Sequence, residues 1–161
     1  MEIPRSYGRG QYIESTAIVP ENAGGYSSHA ASSAKERRNI LQFGRLIECV
    51  VGIYPLEYNG YGCYCGMGGH GRPVDKTDWC CHAHDCCYGK AIKAGCNPYM
   101  KYYNYECNSM QATCSQQNDD CAKLVCECDL QAARCFRSAQ FDNNFVAWPN
   151  ENCHGATPAC P

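Results

Sequence analysis

The chain contains 161 residues and carries a formal net charge of −2 at pH 7, enough sequence for one domain. It has no run of about 20 apolar residues that could form a transmembrane helix, and its weakly acidic balance gives no basis for expecting a nucleic-acid partner. Its 16 cysteines far exceed ordinary usage and allow up to eight disulfides, whose connectivity the spacing leaves open.

Zinc sites are the alternative explanation for so many cysteines. No C-x-x-C pair occurs, and the cysteines come as adjacent pairs, C-x-C pairs and single residues, which argues against zinc fingers. Disulfides form in oxidising compartments, so we expect a secreted, extracellular protein. Residues 1–20 contain no apolar leader, and we expect the sequence to begin after a signal peptide or to be truncated at its start.

Residues 1–38 differ in composition from the rest of the chain. They contain no cysteine, are rich in Ser, Gly and Ala, and show no amphipathic period, which predicts a flexible segment. The segment ends in Arg37-Arg38, and a dibasic pair at a change of composition predicts a proteolytic processing site; an ordinary solvated charge run is the alternative. We therefore expect a pro-segment, residues 1–38, followed by a cysteine-rich domain, residues 39–161.

The cysteine-rich domain begins with helical periodicity and continues into a glycine-rich loop. Apolar residues recur at helical spacing over about three turns: Ile40, Phe43, Ile47 and Val50 or Val51. This stripe predicts an amphipathic helix from Asn39. The segment Tyr61–Gly71 then contains five glycines, which predicts a tight loop with positive φ angles and exposed carbonyl groups.

The remaining sequence predicts two long helices, with a short hairpin between them. The second helix is expected from about Lys76 to Lys90, with Asp75 or Thr77 as its N-cap. Strand character over residues 102–107 and 111–115 predicts a small two-stranded wing. A third helix is expected over residues 119–138, and the irregular tail that follows carries two more cysteines that would hold it in place.

The segment Cys80–Cys87 places a histidine and an aspartate side by side among four cysteines. On a helix, His84, Asp85 and Tyr88 share one face. The glycine loop could turn the carbonyls of Gly66 and Gly68 inward, and Asp85 could add a carboxylate, which are the oxygen ligands that calcium prefers. The alternative is a simple glycine turn beside a surface aspartate.

A lone histidine is more often structural than catalytic, but Asp129 changes that balance. Asp129 follows Cys128 on the third helix, as His84 precedes Cys86-Cys87 on the second. If a disulfide joins these helices, Asp129 could bind one ring nitrogen and leave the other as a base. The sequence has no G-x-S-x-G, H-E-x-x-H or P-loop pattern. We therefore predict a histidine that activates water, with calcium polarising a carbonyl or phosphoryl oxygen.

Three segments resemble the secreted phospholipase A2 family. Tyr61–Gly69 resembles its calcium loop, Cys80–Cys87 its catalytic-histidine signature, and Val125–Cys135 its catalytic-aspartate signature. The resemblance covers residues 39–161. It implies a mainly α, disulfide-rich fold with an N-terminal helix, a calcium-binding loop, two long antiparallel disulfide-linked helices and a small β-wing.

The cysteine positions most resemble group X of this family. Cys49 with Cys107 resembles the extra pair of group I, and Cys86 with Cys160 that of group II; group X has both. The Arg-Arg end of the pro-segment agrees with this. The pairing implied by the resemblance is Cys49–Cys107, Cys63–Cys153, Cys65–Cys81, Cys80–Cys135, Cys86–Cys160, Cys87–Cys128, Cys96–Cys121 and Cys114–Cys126.

The resemblance also implies an activity, calcium-dependent hydrolysis of the sn-2 ester of glycerophospholipids, including phosphatidylcholine. Calcium would be held by the backbone carbonyls of Tyr64, Gly66 and Gly68 and by the Asp85 carboxylate. The implied catalytic residues are His84 as base, Asp129 orienting it, Tyr88 and Tyr103 bonded to Asp129, and the Gly66 N–H at the oxyanion. Ile40, Phe43 and Ile47 would line the acyl channel, with plain core packing as the alternative. Tyr99 would face the substrate phosphate, and His82, on another helix face, would have no catalytic role.

The implied partner is a phospholipid membrane surface, bound peripherally by a monomer. From residue 39 onward, nine Lys and Arg residues stand against twelve Asp and Glu residues, so the domain has no cationic excess to attract anionic lipid. Binding would rest on apolar and aromatic side chains such as Trp79 and Trp148. The alternative functions are a catalytically silent phospholipase A2-like binding or matrix protein and a calcium-binding structural protein.

Overall fold

A computed structural model describes the backbone from residue 28 and the side chains from residue 40 to residue 161. The first helix, α1, spans Ser28–Val51, so it begins earlier than the predicted start at Asn39. Residues 30–38 lack the apolar period on which that prediction relied. They are nevertheless good helix formers without Gly or Pro, which accounts for the longer helix. The predicted flexibility of residues 1–27 lies outside the described residues.

The two long helices form as the sequence predicts. Helix α2 spans Lys76–Lys93 and α3 spans Asp120–Ser138. Each begins at an aspartate whose side chain accepts a hydrogen bond from a backbone N–H three residues later, Asp75 for α2 and Asp119 for α3. Helix α2 passes its predicted end at Lys90, because the left-handed glycine that terminates such a helix comes only at Gly95.

A small antiparallel hairpin consists of β1, Tyr105–Asn108, and β2, Gln111–Cys114. Its two turn residues, Ser109 and Met110, both have positive φ, as the tight two-residue hairpin turn requires. Strand β1 starts later than predicted, since the backbone N–H and carbonyl of Tyr103 bond to the side chain of Gln42 instead of a neighbouring strand. Single 3₁₀ turns lie at Pro55–Tyr58, Asn143–Phe145 and Asn150–Asn152.

All eight implied disulfides are present, which confirms the pairing. Cys80–Cys135 and Cys87–Cys128 join α2 to α3 in antiparallel orientation. Each bridge typically stabilises a small domain by about 2–4 kcal/mol, mainly by restricting the unfolded chain. The core between the helices is built around residues with little or no exposure: Leu46, Val50, Tyr61, Tyr103, Val125 and Phe136. Within residues 28–161, no helix has both the length and the apolar character needed to cross a membrane.

Candidate active site

The central pair of the site joins α2 to α3. His84 Nε2 lies 2.7 Å from Asp129 Oδ1, and the Cys87–Cys128 disulfide links the two helices beside this contact. Asp129 is completely buried. An ionised carboxylate only accepts hydrogen bonds, so His84 donates from Nε2, and Nδ1 is left as the ring nitrogen that can accept a proton.

Two tyrosines complete the surroundings of Asp129. Tyr88 donates to Oδ1 and Tyr103 donates to Oδ2, each at 2.7 Å. Burial, followed by the negative charge of Asp129, raises the pKa of both phenols far above the usual value. Both therefore stay protonated donors, and three hydrogen bonds compensate the burial of one carboxylate.

Helix α1 supplies the wall next to His84. The Phe43 ring stacks on the imidazole with centroids 4.4 Å apart, and the His84 side chain keeps 12% of its surface exposed. Ile40, one turn before Phe43, is exposed, and Ile47, one turn after, is buried in the core. The three predicted channel residues thus lie along one face of α1, from the surface to the interior.

Gln42 is a residue of the site that sequence reasoning missed. Its buried amide donates to the backbone carbonyl of Tyr103, and its Oε1 accepts from the Tyr103 N–H at 3.3 Å. Helix α1 thereby fixes the backbone of a residue whose phenol binds Asp129. The available signal was a glutamine next to the apolar stripe of α1, but its partner is 61 residues away in sequence.

The glycine loop has the conformation that its composition predicts. Gly66 and Gly68 have φ angles of 142° and 79°, which L side chains rarely adopt. The Cys65–Cys81 disulfide ties the loop to α2, one helical turn before Asp85.

Four oxygen-bearing groups of the predicted calcium site lack protein partners. Within residues 40–161, the carbonyl oxygens of Tyr64, Gly66 and Gly68 accept no hydrogen bond, and the Asp85 carboxylate has neither a hydrogen bond nor an ion pair. Asp85 is an exposed residue. The protein on the inner side of its carboxyl group nevertheless removes part of the water and raises its pKa to about 6, against an opposing effect of His84 and His82. This all-oxygen set fits a hard cation such as calcium.

Asp78 is a second residue that sequence reasoning missed. Its fully buried carboxylate accepts hydrogen bonds from the backbone N–H groups of Cys63 and Tyr64, each at 2.8 Å, and of Val74 at 2.9 Å. A Cβ atom at Gly62 would lie only 2.4 Å from this carboxyl group, so only glycine fits there. Asp78 thus fastens the glycine loop to the start of α2.

The other predicted site residues lie around this centre. Tyr99 is exposed and contacts Tyr88 edge-on, with ring centroids 5.5 Å apart. His82 packs against Tyr64, and one of its ring nitrogens lies 3.0 Å from the carbonyl oxygen of Pro158, so it faces the C-terminal tail. Trp148 is half-buried against Phe145 beside a cavity of about 300 Å³ at the glycine loop.

The phospholipase A2 family model matches residues 40–146. This range contains His84 and Asp129, the glycine loop and the α1 residues that lie next to His84. The chain belongs to the phospholipase A2 family. It is an enzyme of this class, and the resemblance inferred from its motifs is confirmed.

Relatives from groups II and X both align with the chain. Human Group IIE secretory phospholipase A2 is 47% identical over 124 residues, covering 76% of this chain and 87% of the relative. Human Group 10 secretory phospholipase A2 is 39% identical over 124 residues, covering 77% and 75%. The basic phospholipase A2 caudoxin of Bitis caudalis is 44% identical over 124 residues, covering 76% and 100%.

Proposed function

We propose that this phospholipase A2 is secreted and hydrolyses the sn-2 ester of glycerophospholipids in a calcium-dependent reaction, releasing a fatty acid and a lysophospholipid. The observation that carries the proposal is the 2.7 Å contact between His84 and a buried Asp129. Within residues 40–161, the neighbouring Asp85 carboxylate and three carbonyls of the glycine loop, which a disulfide ties to α2, have no hydrogen-bond partner. A base and a cation site at one place suit water attack on an ester.

In this reaction His84 takes a proton from water at Nδ1 as the water oxygen attacks the ester carbonyl carbon. The imidazolium that forms is stabilised by Asp129 across the Nε2 contact, and Tyr88 and Tyr103 hold the Asp129 oxygens in place by hydrogen bonds. The Gly66 N–H donates to the oxyanion. When the ester C–O bond breaks, His84 returns its proton to the departing glycerol oxygen.

The calcium ligands in this proposal are the carbonyls of Tyr64, Gly66 and Gly68 and the carboxylate of Asp85. A calcium ion held by these residues would supply positive charge that stabilises the negative charge developing on the ester. Asp78 contributes by holding the backbone N–H groups at the start of this loop, which restricts the backbone that carries these carbonyls. The acyl chain would run along Ile40, Phe43 and Ile47, the apolar face that reaches His84.

The membrane-binding surface in this proposal is apolar. Ile40 and Leu41 on α1, Leu56 on the following 3₁₀ turn and Met67 on the glycine loop are strongly exposed, and Met67 is fully so. Ile40 and Leu41 lie on the helix whose Phe43 stacks on His84, and Met67 lies on the loop that the Cys65–Cys81 disulfide ties to α2. Because the domain has three more acidic than basic residues, insertion of apolar side chains would dominate over attraction to anionic lipid.

Binding to phosphatidylcholine vesicles, and to vesicles that also contain anionic lipid, tests this surface for a peripherally bound monomer. We expect similar binding to phosphatidylcholine vesicles at low and high salt, and a marked loss of binding for Met67→Glu. Binding that rises steeply with anionic lipid and disappears in salt would contradict the apolar surface.

The proposal includes latency before processing. Helix α1 continues without a break from Ser28 through Arg38. In the uncut chain, Asn39 is therefore preceded by helix, whereas cleavage after Arg38 would give Asn39 a free amino group. We expect cleavage after Arg38 to raise the specific activity. Equal activity of the full chain and the cleaved chain would remove the zymogen part of the proposal.

Fatty-acid release from phosphatidylcholine vesicles tests the reaction itself. Cleaved protein with millimolar calcium should release sn-2 fatty acid, and a chelator should stop the release. His84→Gln should abolish turnover while calcium binding persists. If wild-type protein binds calcium but releases no fatty acid, the chain is a silent binding or matrix member of the family.

A further inference from the structure

A groove of about 240 Å³ lies between the end of α1, the hairpin and the C-terminal half of α3. Its lining includes Val50, Met110, Ala112, Thr113, Arg134 and Arg137, and none of its lining residues belongs to the candidate active site. We refer to it as the arginine groove. The reaction proposed above makes no use of it.

The two arginines are held in fixed positions. They lie three residues apart on α3, so they share one face of the helix. Arg134 donates from Nη2 to the carbonyl of Ala112 at 3.1 Å, and Arg137 donates from Nη1 to the carbonyl of Met110 at 3.0 Å. Fixed guanidinium groups lose less freedom when a ligand binds than side chains that extend freely into solvent.

Neither guanidinium is neutralised by the protein within residues 40–161, where the ion pairs are His84–Asp129 and Lys101–Asp119. The acidic residue of the hairpin, Glu106, stands opposite Thr113 in the strand register. In β2 the buried side chains are Ala112 and Cys114, so Glu106 shares the exposed face with Thr113, and within residues 40–161 no ion pair joins Glu106 to either arginine.

Stabilising the hairpin turn uses only some of the hydrogen-bond donors of the two arginines. Arg137 supports the carbonyl of Met110, a residue with positive φ, and that role uses one N–H of its guanidinium. Each guanidinium carries five N–H donors, so most donors of both arginines remain for a ligand. Two guanidinium groups beside one small groove can together donate hydrogen bonds to an oxyanion that has several acceptor oxygens.

We propose that the arginine groove binds one tetrahedral oxyanion, a phosphate or sulfate group, either as the free ion or as the monoester of a small headgroup. The volume is below that of common ligand pockets, which limits the occupant to a small group. Val50 closes the groove with apolar surface, against which the carbon next to an esterified oxygen would pack.

Amide NMR of the ¹⁵N-labelled full chain tests this site without reference to catalysis. Inorganic phosphate, sulfate and glycerol 3-phosphate are titrated into calcium-free protein at constant ionic strength. We expect saturable shifts at the amides of residues 110–113 in the millimolar range. Saturation by glycerol 3-phosphate at least as tight as by phosphate supports a monoester, and saturation by the inorganic ions alone supports a free anion.

Substitutions then distinguish hydrogen bonding by the two guanidinium groups from general attraction to positive charge. Arg134→Gln and Arg137→Gln should each weaken binding by about tenfold or more, because each removes charge-assisted hydrogen bonds. Arg72→Gln, the same change at an exposed site outside the groove, should leave binding unchanged. Arg134→Lys and Arg137→Lys keep the charge and should weaken binding several-fold, which preserves the test if a Gln variant unfolds. The proposal would be overturned if no saturable shifts were seen, or if all four groove variants bound the anion as tightly as the unmodified protein.

Discussion

Replacing Asp78 by asparagine should loosen the glycine loop without changing the size of the side chain. The Asp78 carboxylate accepts one backbone N–H at Oδ1 and two at Oδ2. Asparagine has a single acceptor oxygen, so its amide NH₂ must face at least one of these N–H groups, and the remaining bonds lose their charge. A hydrogen bond to a charged group is worth about 1.5–3 kcal/mol and a neutral one about 1 kcal/mol. Loss of one charged bond and conversion of two others to neutral bonds should therefore lower the free energy of unfolding by about 3–7 kcal/mol.

Denaturant unfolding and calorimetric calcium titration together test this prediction. Asp78→Asn should shift the unfolding midpoint to lower denaturant and weaken calcium binding, because the cation must then order the loop. The matched control is Asp120→Asn, an exposed residue in the first turn of α3, which should lose less than about 1 kcal/mol. Unfolding and calcium affinity indistinguishable from the unmodified protein would refute the assignment of Asp78 as the loop anchor.

Three further predictions concern the catalytic pair and the cation site. Tyr88→Phe and Tyr103→Phe should each lower the unfolding free energy by about 1.5–3 kcal/mol, because each removes a donor from a buried carboxylate, and should lower kcat/KM in vesicle assays; unchanged values would contradict that role. Gln42→Leu should lower kcat/KM less in the Tyr103→Phe background than alone, and a double-mutant cycle showing simple additivity would exclude coupling through Tyr103. Calcium should bind about tenfold more weakly at pH 5 than at pH 7.5, since the Asp85 carboxyl, with its pKa raised to about 6, must lose its proton first; calorimetry showing almost no change would indicate an ordinary carboxyl pKa.

Local signals in the sequence predicted the parts of the fold that depend on neighbouring residues. The predicted starts of α2 and α3 agree with the structure within one residue, Asp75 is the N-cap of α2 among the two candidates, and Gly66 and Gly68 of the loop have the positive φ angles expected. The start of α1 was predicted too late, at Asn39, because the expectation followed apolar periodicity and the residues before it form helix through propensity alone.

The contacts that sequence reasoning missed join distant segments. Gln42 binds a backbone 61 residues away, and neither its type nor its spacing indicates a partner. Asp78 lies two residues before the recognised segment Cys80–Cys87, yet its role follows from the fold of a loop 14 and 15 residues earlier. Asp129 was predicted because a disulfide between the helices would bring it to His84, a long-range constraint that the cysteines made visible.

The burial of Asp129 affects how its presence in a sequence is interpreted. This carboxylate receives donors from α2 and from the segment before the hairpin, so its replacement would remove the acceptor of three hydrogen bonds, two of them from buried tyrosines, and endanger folding. Selection for a stable scaffold alone would therefore retain Asp129, even in a descendant that had lost turnover. His84 retains solvent exposure and Asp85 has no partner in the described domain, so neither supports the fold to the same degree. Retention of His84 and Asp85, more than of Asp129, marks a lineage still selected for hydrolysis.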